Sequence, residues 1–367
     1  MYKSYLLIAG LALFMLFMAG TLLKTGESAG AAKPSAAAAK SFAPGRIVFG
    51  GPVAPSSRPA AKDDPKRRAL FETAFKEAKE LLAKGDRADP RFIKRIGAAT
   101  ARAADLATPA DWPFIEAESR LTSQPDGMKT LLVTVAGATG ADAAVPFIAD
   151  LYEVVPTKAI EALGRLGSHA AFVAVRNLYQ KALGPEQRYV MLQVMKTMPK
   201  ADARGFLLGL LDQEKDESTV LEAVTLLRFF PSDETAARVA AFARRAPEGT
   251  PEKPILLRTF NTLTGLKLST ADAAVLDAYL DQTARPEVRA AAGQALAFIT
   301  APALVDRILA RFEDDPASTD PALLAALERS AQPRHRDRIA ALAPRLTAPA
   351  TRTRFESILA AVAEPVK

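Results

Sequence analysis

Pro286-Glu287-Val288-Arg289-Ala290-Ala291-Ala292-Gly293-Gln294-Ala295-Leu296 is the stretch from which the fold can be read. It is a run of helix formers that closes on an apolar residue, Leu296, just before a break. Other segments align on the same feature, giving anchors at Leu132, Leu163, Met195, Leu227, Leu263, Leu296, Leu327 and Leu359. Successive anchors are 31, 32, 32, 36, 33, 31 and 32 residues apart. Self-similarity near 32 residues, with two short helices in each unit, is the mark of an α-solenoid. The sequence therefore predicts an all-α fold, an α-solenoid of about eight two-helix repeats.

The periodicity outside the anchors agrees. Leu70, Phe71, Ala74, Phe75, Ala78, Leu81 and Leu82 form one helical apolar stripe, and breaks recur at Gly167-Ser168, Pro199, Pro231-Ser232 and Pro302. The column three residues before the anchor holds Ile160, Leu192, Val224, Phe260, Gly293 and Leu324, mostly core types. Two residues before it stand Thr130, Glu161, Gln193, Thr225, Asn261, Gln294, Ala325 and Ser357, nearly all polar. Stacked repeats would bring this column onto one surface as a polar ladder. Arg165, Lys196, Arg228 and Arg329 follow their anchors by one or two places and fall beside it. Glu161, Arg165, Gln193, Lys196, Thr225, Arg228, Asn261, Gln294 and Arg329 are thus the candidate partner-binding surface.

The stretch at Pro286, followed by Ile299, Pro302, Leu304-Val305 and Asp314-Asp315, resembles the short bacterial HEAT-like repeat, with its P-x-V-R-x-A-A-x-A-L core. The unit from Pro185 shares the Pro-Glu start and an arginine, Arg188. The resemblance spans 125–367 in helix spacing and about one unit in motif. It implies HEAT-like repeats, and since such families are mainly scaffolds it implies a non-enzymatic, partner-binding chain. It also admits an alternative, an enzyme or enzyme accessory of the HEAT-like lyase type.

Charge is unevenly distributed. The net charge is +7, yet residues 69–367 carry 38 basic and 38 acidic side chains, so the body is neutral. Residues 24–68 hold nine basic groups and three acidic ones. Ahead of them, Tyr5 to Leu23 is 19 residues without a charge. As a helix it would span roughly 28 Å, close to the hydrocarbon thickness of a bilayer. Two readings stay open, an uncleaved anchor and a cleaved signal with an A-x-A site at Ala29-Gly30-Ala31.

Four regions follow: a membrane anchor or signal segment at 1–24, a flexible Ala/Pro/Gly/Lys-rich basic linker at 25–64, an N-terminal helical cap region at 65–124, and the solenoid at 125–367. The expected placement is single-pass in the inner membrane with the solenoid in the periplasm. The alternatives are cleavage and secretion to the periplasm, or a cytoplasm-facing body, which the downstream lysines favour by the positive-inside rule. Membrane contact would come through residues 5–23, and anionic lipid headgroups are the match for the cations of 24–68.

Chemistry is narrowed by what is missing. There is no cysteine, which removes disulfides, thiolate metal sites and thiol nucleophiles. The two histidines cannot build a three-histidine zinc site. His169 falls at an inter-helix turn, and His335 lies in the basic run Arg334-His335-Arg336-Asp337-Arg338, which reads as a solvated helix face. No phosphate loop or dinucleotide fingerprint occurs. No catalytic, metal or cofactor-binding residue is assigned and no cofactor is expected. A nucleic-acid-binding HEAT-like protein is a further alternative, disfavoured because the body is neutral. Asp111-Trp112-Pro113, with the only Trp, reads as an N-cap followed by a first-turn proline. The expected function is a membrane-tethered helical-repeat scaffold that binds a protein partner in a bacterial cell-envelope assembly.

Overall fold

The computed structural model describes residues 64–84, 89–120, 125–245 and 252–363. The apolar segment 5–23 and the linker up to Asp63 lie outside the described residues. No described helix is long and apolar enough to cross a membrane.

Described residues form α-helices, short 3-10 turns and loops, without a strand. Three helices come first, α1 (Pro65–Lys84), α2 (Pro90–Leu106) and α3 (Trp112–Ser119). From there the chain alternates between two layers. One layer contains α4 (Asp126–Thr139), α6 (Pro156–Leu166), α8 (Pro185–Gln193), α10 (Glu217–Leu227), α12 (Glu252–Gly265), α14 (Pro286–Leu296), α16 (Pro321–Ser330) and α18 (Pro349–Ala363). The other contains α5 (Val145–Asp150), α7 (His169–Lys181), α9 (Lys200–Gln213), α11 (Asp233–Arg245), α13 (Ser269–Leu280), α15 (Val305–Asp314) and α17 (Arg336–Leu342). Every anchor falls in the first layer, Met195 in the 3-10 turn Val194–Thr197 that prolongs α8. Leu132, Leu163, Met195, Leu227, Leu263, Leu296 and Leu327 are buried, and Leu359 is packed on the same core.

Neighbours within the first layer touch in order, α4 on α6, α8 on α10, α10 on α12, α12 on α14, α14 on α16 and α16 on α18. α6 meets α8 and its 3-10 extension. In the second layer α5 packs on α7, α7 on α9, α9 on α11 and α11 on α13. Each helix buries its apolar stripe against the units before and after it, which is why no single unit could hold the fold alone. The molecule is an α-solenoid.

Local chemistry explains the turns. α6 ends on Gly167 at φ 60°, in the left-handed region, and a Cβ there would lie 2.7 Å from the Thr197 carbonyl oxygen. Ser168 then accepts from the Ala171 N–H at 3.2 Å and starts α7. Asp216 does the same for α10, accepting from the Thr219 N–H at 2.8 Å.

α1 and α2 pack on each other and on α4, so the helices before residue 125 continue the core of the repeats. Phe114 meets Phe71 and Phe75 edge-on at 5.8 and 5.3 Å. Arg67 donates to Asp111 at 2.6 and 3.1 Å and to the Leu106 carbonyl at 2.6 Å. Asp111 is therefore not the simple N-cap expected of it. Its carboxylate is buried, accepts from the Thr108 N–H and hydroxyl, and closes the turn between α2 and α3. Burial raises its pKa, but the hydrogen bonds from Arg67 and Thr108 outweigh that and hold it below the usual aspartate value. One of the nine cations assigned to the basic segment is thus committed to the fold.

His335 also departs from expectation. The run around it was read as solvated, yet the 3-10 turn Pro333–His335 carries the ring inward, where it is 4 % exposed. The Gln332 N–H donates to its Nδ1 at 3.0 Å. Burial, with Arg334 alongside, lowers its pKa, so the ring is neutral in the folded protein at pH 7.

Candidate functional site

The polar column lies on the open side of the first layer. Asn261, Gln294, Arg165, Lys196, Arg228 and Arg329 are exposed, and Glu161, Gln193 and Thr225 half-buried. Hydrogen bonding divides them. Gln193 donates to Glu222 of the next unit, the one bond that joins the column across repeats among the described residues. Glu161 pairs with Lys158 on its own helix at 2.6 Å, and Thr225 donates to the Leu221 carbonyl of its own helix.

The cations do not form one cluster. Lys196 and Arg228 converge on the ring of Phe229, at 5.6 and 4.7 Å from its centroid. Lys196 also donates to Gln193 at 3.2 Å. Arg165 is one helix away, and Arg329 is separated from Arg228 by α12 and α14. Phe229 is 43 % exposed, and Phe298, at the same place two residues after its anchor, is 53 % exposed. Between them the equivalent position is Gly265, with no side chain. Tyr189, 49 % exposed, stands on α8, where partial burial and then the charge of Glu222 raise the phenol pKa. The aromatics were missed at the sequence level, although Phe229 and Phe298 each follow an anchor by two residues.

A second set of polar side chains lies between the layers, and it occurs twice. Tyr179 and Tyr279 each follow their anchors, Leu163 and Leu263, by 16 residues, and Arg188 and Arg289 each precede the next anchor by seven. In the first copy Tyr179 donates to Glu214 at 3.0 Å, and Arg188 donates to the same carboxylate at 3.3 and 3.5 Å while lying over the Tyr179 ring. Burial and the hydrogen bond to Glu214 push the Tyr179 hydroxyl far above the ordinary tyrosine range. Glu214 is held below the usual glutamate value. Burial acts against this, but the Asp216 and Lys215 N–H groups, Tyr179 and Arg188 together prevail.

In the second copy Tyr279 donates to Asp320 at 2.6 Å, and burial with this bond raises its pKa far above the ordinary range. Asp320 is also the N-cap of α16, accepting from the Ala322 and Leu323 N–H groups at 3.0 and 3.1 Å. Arg289 makes no ion pair among the described residues. A small solvent-open cleft forms instead, lined by Tyr279, Gln282, Arg289, Arg311, Asp315 and Asp320 with Ser318 among others. Gly293 makes room for the Tyr279 ring: a Cβ at that core column would stand 2.9 Å from it. The remaining histidine, His169, is exposed at its turn, with Nδ1 2.8 Å from Asp202.

No family model and no curated protein matches this chain. Among solved structures it aligns with human deoxyhypusine hydroxylase in complex with glycerol, at 16 % identity and a TM-score of 0.27, over 72 % of this chain and 96 % of that one. That protein is an enzyme of HEAT-like helical fold. The expectation of a non-enzymatic chain is corrected accordingly, because it was drawn from HEAT-like repeats serving as scaffolds and an enzyme shares the architecture. The likeness assigns no activity to this chain.

Proposed function

We propose that the chain is a membrane-tethered helical-repeat scaffold of a bacterial cell envelope that binds a protein partner along the first helix layer. Residues 5–23 are the tether, in the inner membrane, with the solenoid on its periplasmic side. The carrying observation is the patch in which Lys196 and Arg228 flank the exposed ring of Phe229, with Tyr189 and Glu222 alongside and Phe298 in register two units on. Arg165, Lys196, Arg228 and Arg329 have no carboxylate partner among the described residues. A folded protein leaves aromatics and unpaired cations together on one face where a partner supplies the complement. The matching partner is an acidic segment with apolar side chains. Phe229 and Phe298 are two helix spacings apart, roughly 18 Å, the reach of about six extended residues.

Site-specific photocrosslinking of the full chain in native membranes tests this. A photoreactive phenylalanine analogue at position 229 should trap one discrete protein, and the adduct should disappear when Lys196→Glu and Arg228→Glu are combined. No discrete adduct at position 229 or 298 would refute the assignment. Favouring the alternative of an enzyme or enzyme accessory is a different observation, the convergence of Tyr279, Arg289 and Asp320 on a cleft.

A further inference from the structure

Two copies of one Tyr-Arg-acid arrangement reach opposite ends. In the first, two acids divide the work: Glu214 takes Tyr179 and Arg188, and Asp216, two residues later, caps α10. In the second, Asp320 must do both, receiving the Tyr279 hydroxyl on one oxygen and the α16 N–H groups on the other. The residue two places before that cap is Ser318, where the first copy has Glu214. Serine carries no charge, so Arg289 is left without an ion pair among the described residues.

Arg289 is half-buried, and its Nε, like that of Arg188 in the first copy, is sealed from solvent without a partner among the described residues. Arg311, from α15, lines the same cleft and makes no ion pair among the described residues. Of the two acids in the lining, Asp320 is held as above, and Asp315 is exposed and accepts the Ala317 N–H on one oxygen at 3.2 Å. Two guanidinium groups therefore line one cleft without an ion pair among the described residues, beside the carboxylates of Asp315 and Asp320. Planar guanidinium forks pair with oxyanions in two-point fashion, and partial burial strengthens the pairing relative to water.

We propose that the cleft at Arg289 and Arg311 is a binding site for a small oxyanion, a phosphate or carboxylate group, occupying the place that the Glu214 carboxylate fills in the first copy. The amide of Gln282 and the hydroxyl of Ser318, which line the cleft, add neutral donors to the two charged ones. Tyr279 is not a ligand, because its proton is already given to Asp320.

Isothermal titration of the detergent-solubilised full chain at low salt tests the site, with inorganic phosphate and succinate as separate probes to distinguish the two oxyanion chemistries. Saturable binding of one or both is expected, weakened about tenfold or more by Arg289→Ala and less by Arg311→Ala. Arg188→Ala, at the closed copy, should leave the isotherm unchanged, and circular dichroism of each variant checks that the helices persist. Absence of saturable binding by both probes, or equal binding by the wild type and a folded Arg289→Ala variant, overturns the proposal.

Discussion

The units around α7–α10 and α13–α16 start from the same tyrosine and the same arginine and diverge at a single acid. In the earlier unit Glu214 ties Tyr179 and Arg188 into a closed, charge-balanced knot. In the later one Asp320 serves both tyrosine and helix cap, Ser318 stands where the glutamate would be, and Arg289 looks into a cleft. Repeats share a scaffold, so differences at equivalent positions isolate what each unit does beyond stacking. Degenerate repeats are informative for that reason: the departure from pattern marks the place where a unit has been released from a purely structural role.

The largest effect should come from opening the closed copy. Glu214→Ala leaves the half-buried Arg188 and the Tyr179 hydroxyl without their acceptor, and should lower the unfolding free energy by about 2 kcal/mol. Ser318→Ala at the matching position should change it by less than about 0.5 kcal/mol, and denaturant titration reads both. Gly293→Ala comes next. The new methyl would meet the Tyr279 ring, costing about 1–2 kcal/mol and changing near-ultraviolet circular dichroism as the ring shifts.

Smaller still is the acid response of the closed copy. Because the folded pKa of Glu214 lies below its unfolded value of about 4.5, its stabilisation is complete above that pH and is lost as pH falls through the folded value. Glu214→Gln should therefore flatten the stability profile below about pH 4.5 and do little to its slope at neutral pH. His335 acts in the same direction higher up the scale. Its folded pKa is depressed, so wild-type stability should decline as pH falls through about 6.5 and His335→Gln should remove that decline, as read by thermal melts at stepped pH.

Much of this architecture was legible in residue spacing. Anchors chosen only as apolar residues before breaks all fall on alternate helices of one layer, since each unit must bury one such residue against its neighbours. The surface position of the polar column follows from the same periodicity. What spacing could not convey was convergence across units. Arg289, Arg311 and Asp320 belong to three successive first- and second-layer helices, and only stacking brings them to one cleft. A signal existed all the same, in two tyrosines at +16 and two arginines at −7 from their anchors, and in a glycine at a core column. His335 was misread because its neighbours are charged, whereas a 3-10 turn rotates one residue of such a run inward regardless of composition. Asp111 was misread because its partner, Arg67, lies 44 residues away and no local pattern announces it.

Ser318→Glu puts the missing acid back while Asp320 keeps the cap, and phosphate and succinate titration of that variant beside the wild type is the most direct measurement of the difference between the two copies. If the second copy is an open form of the first, the introduced carboxylate occupies the oxyanion's place and saturable binding disappears while the helical signal and thermal midpoint are retained or raised. Undiminished binding by the folded Ser318→Glu protein would contradict the account.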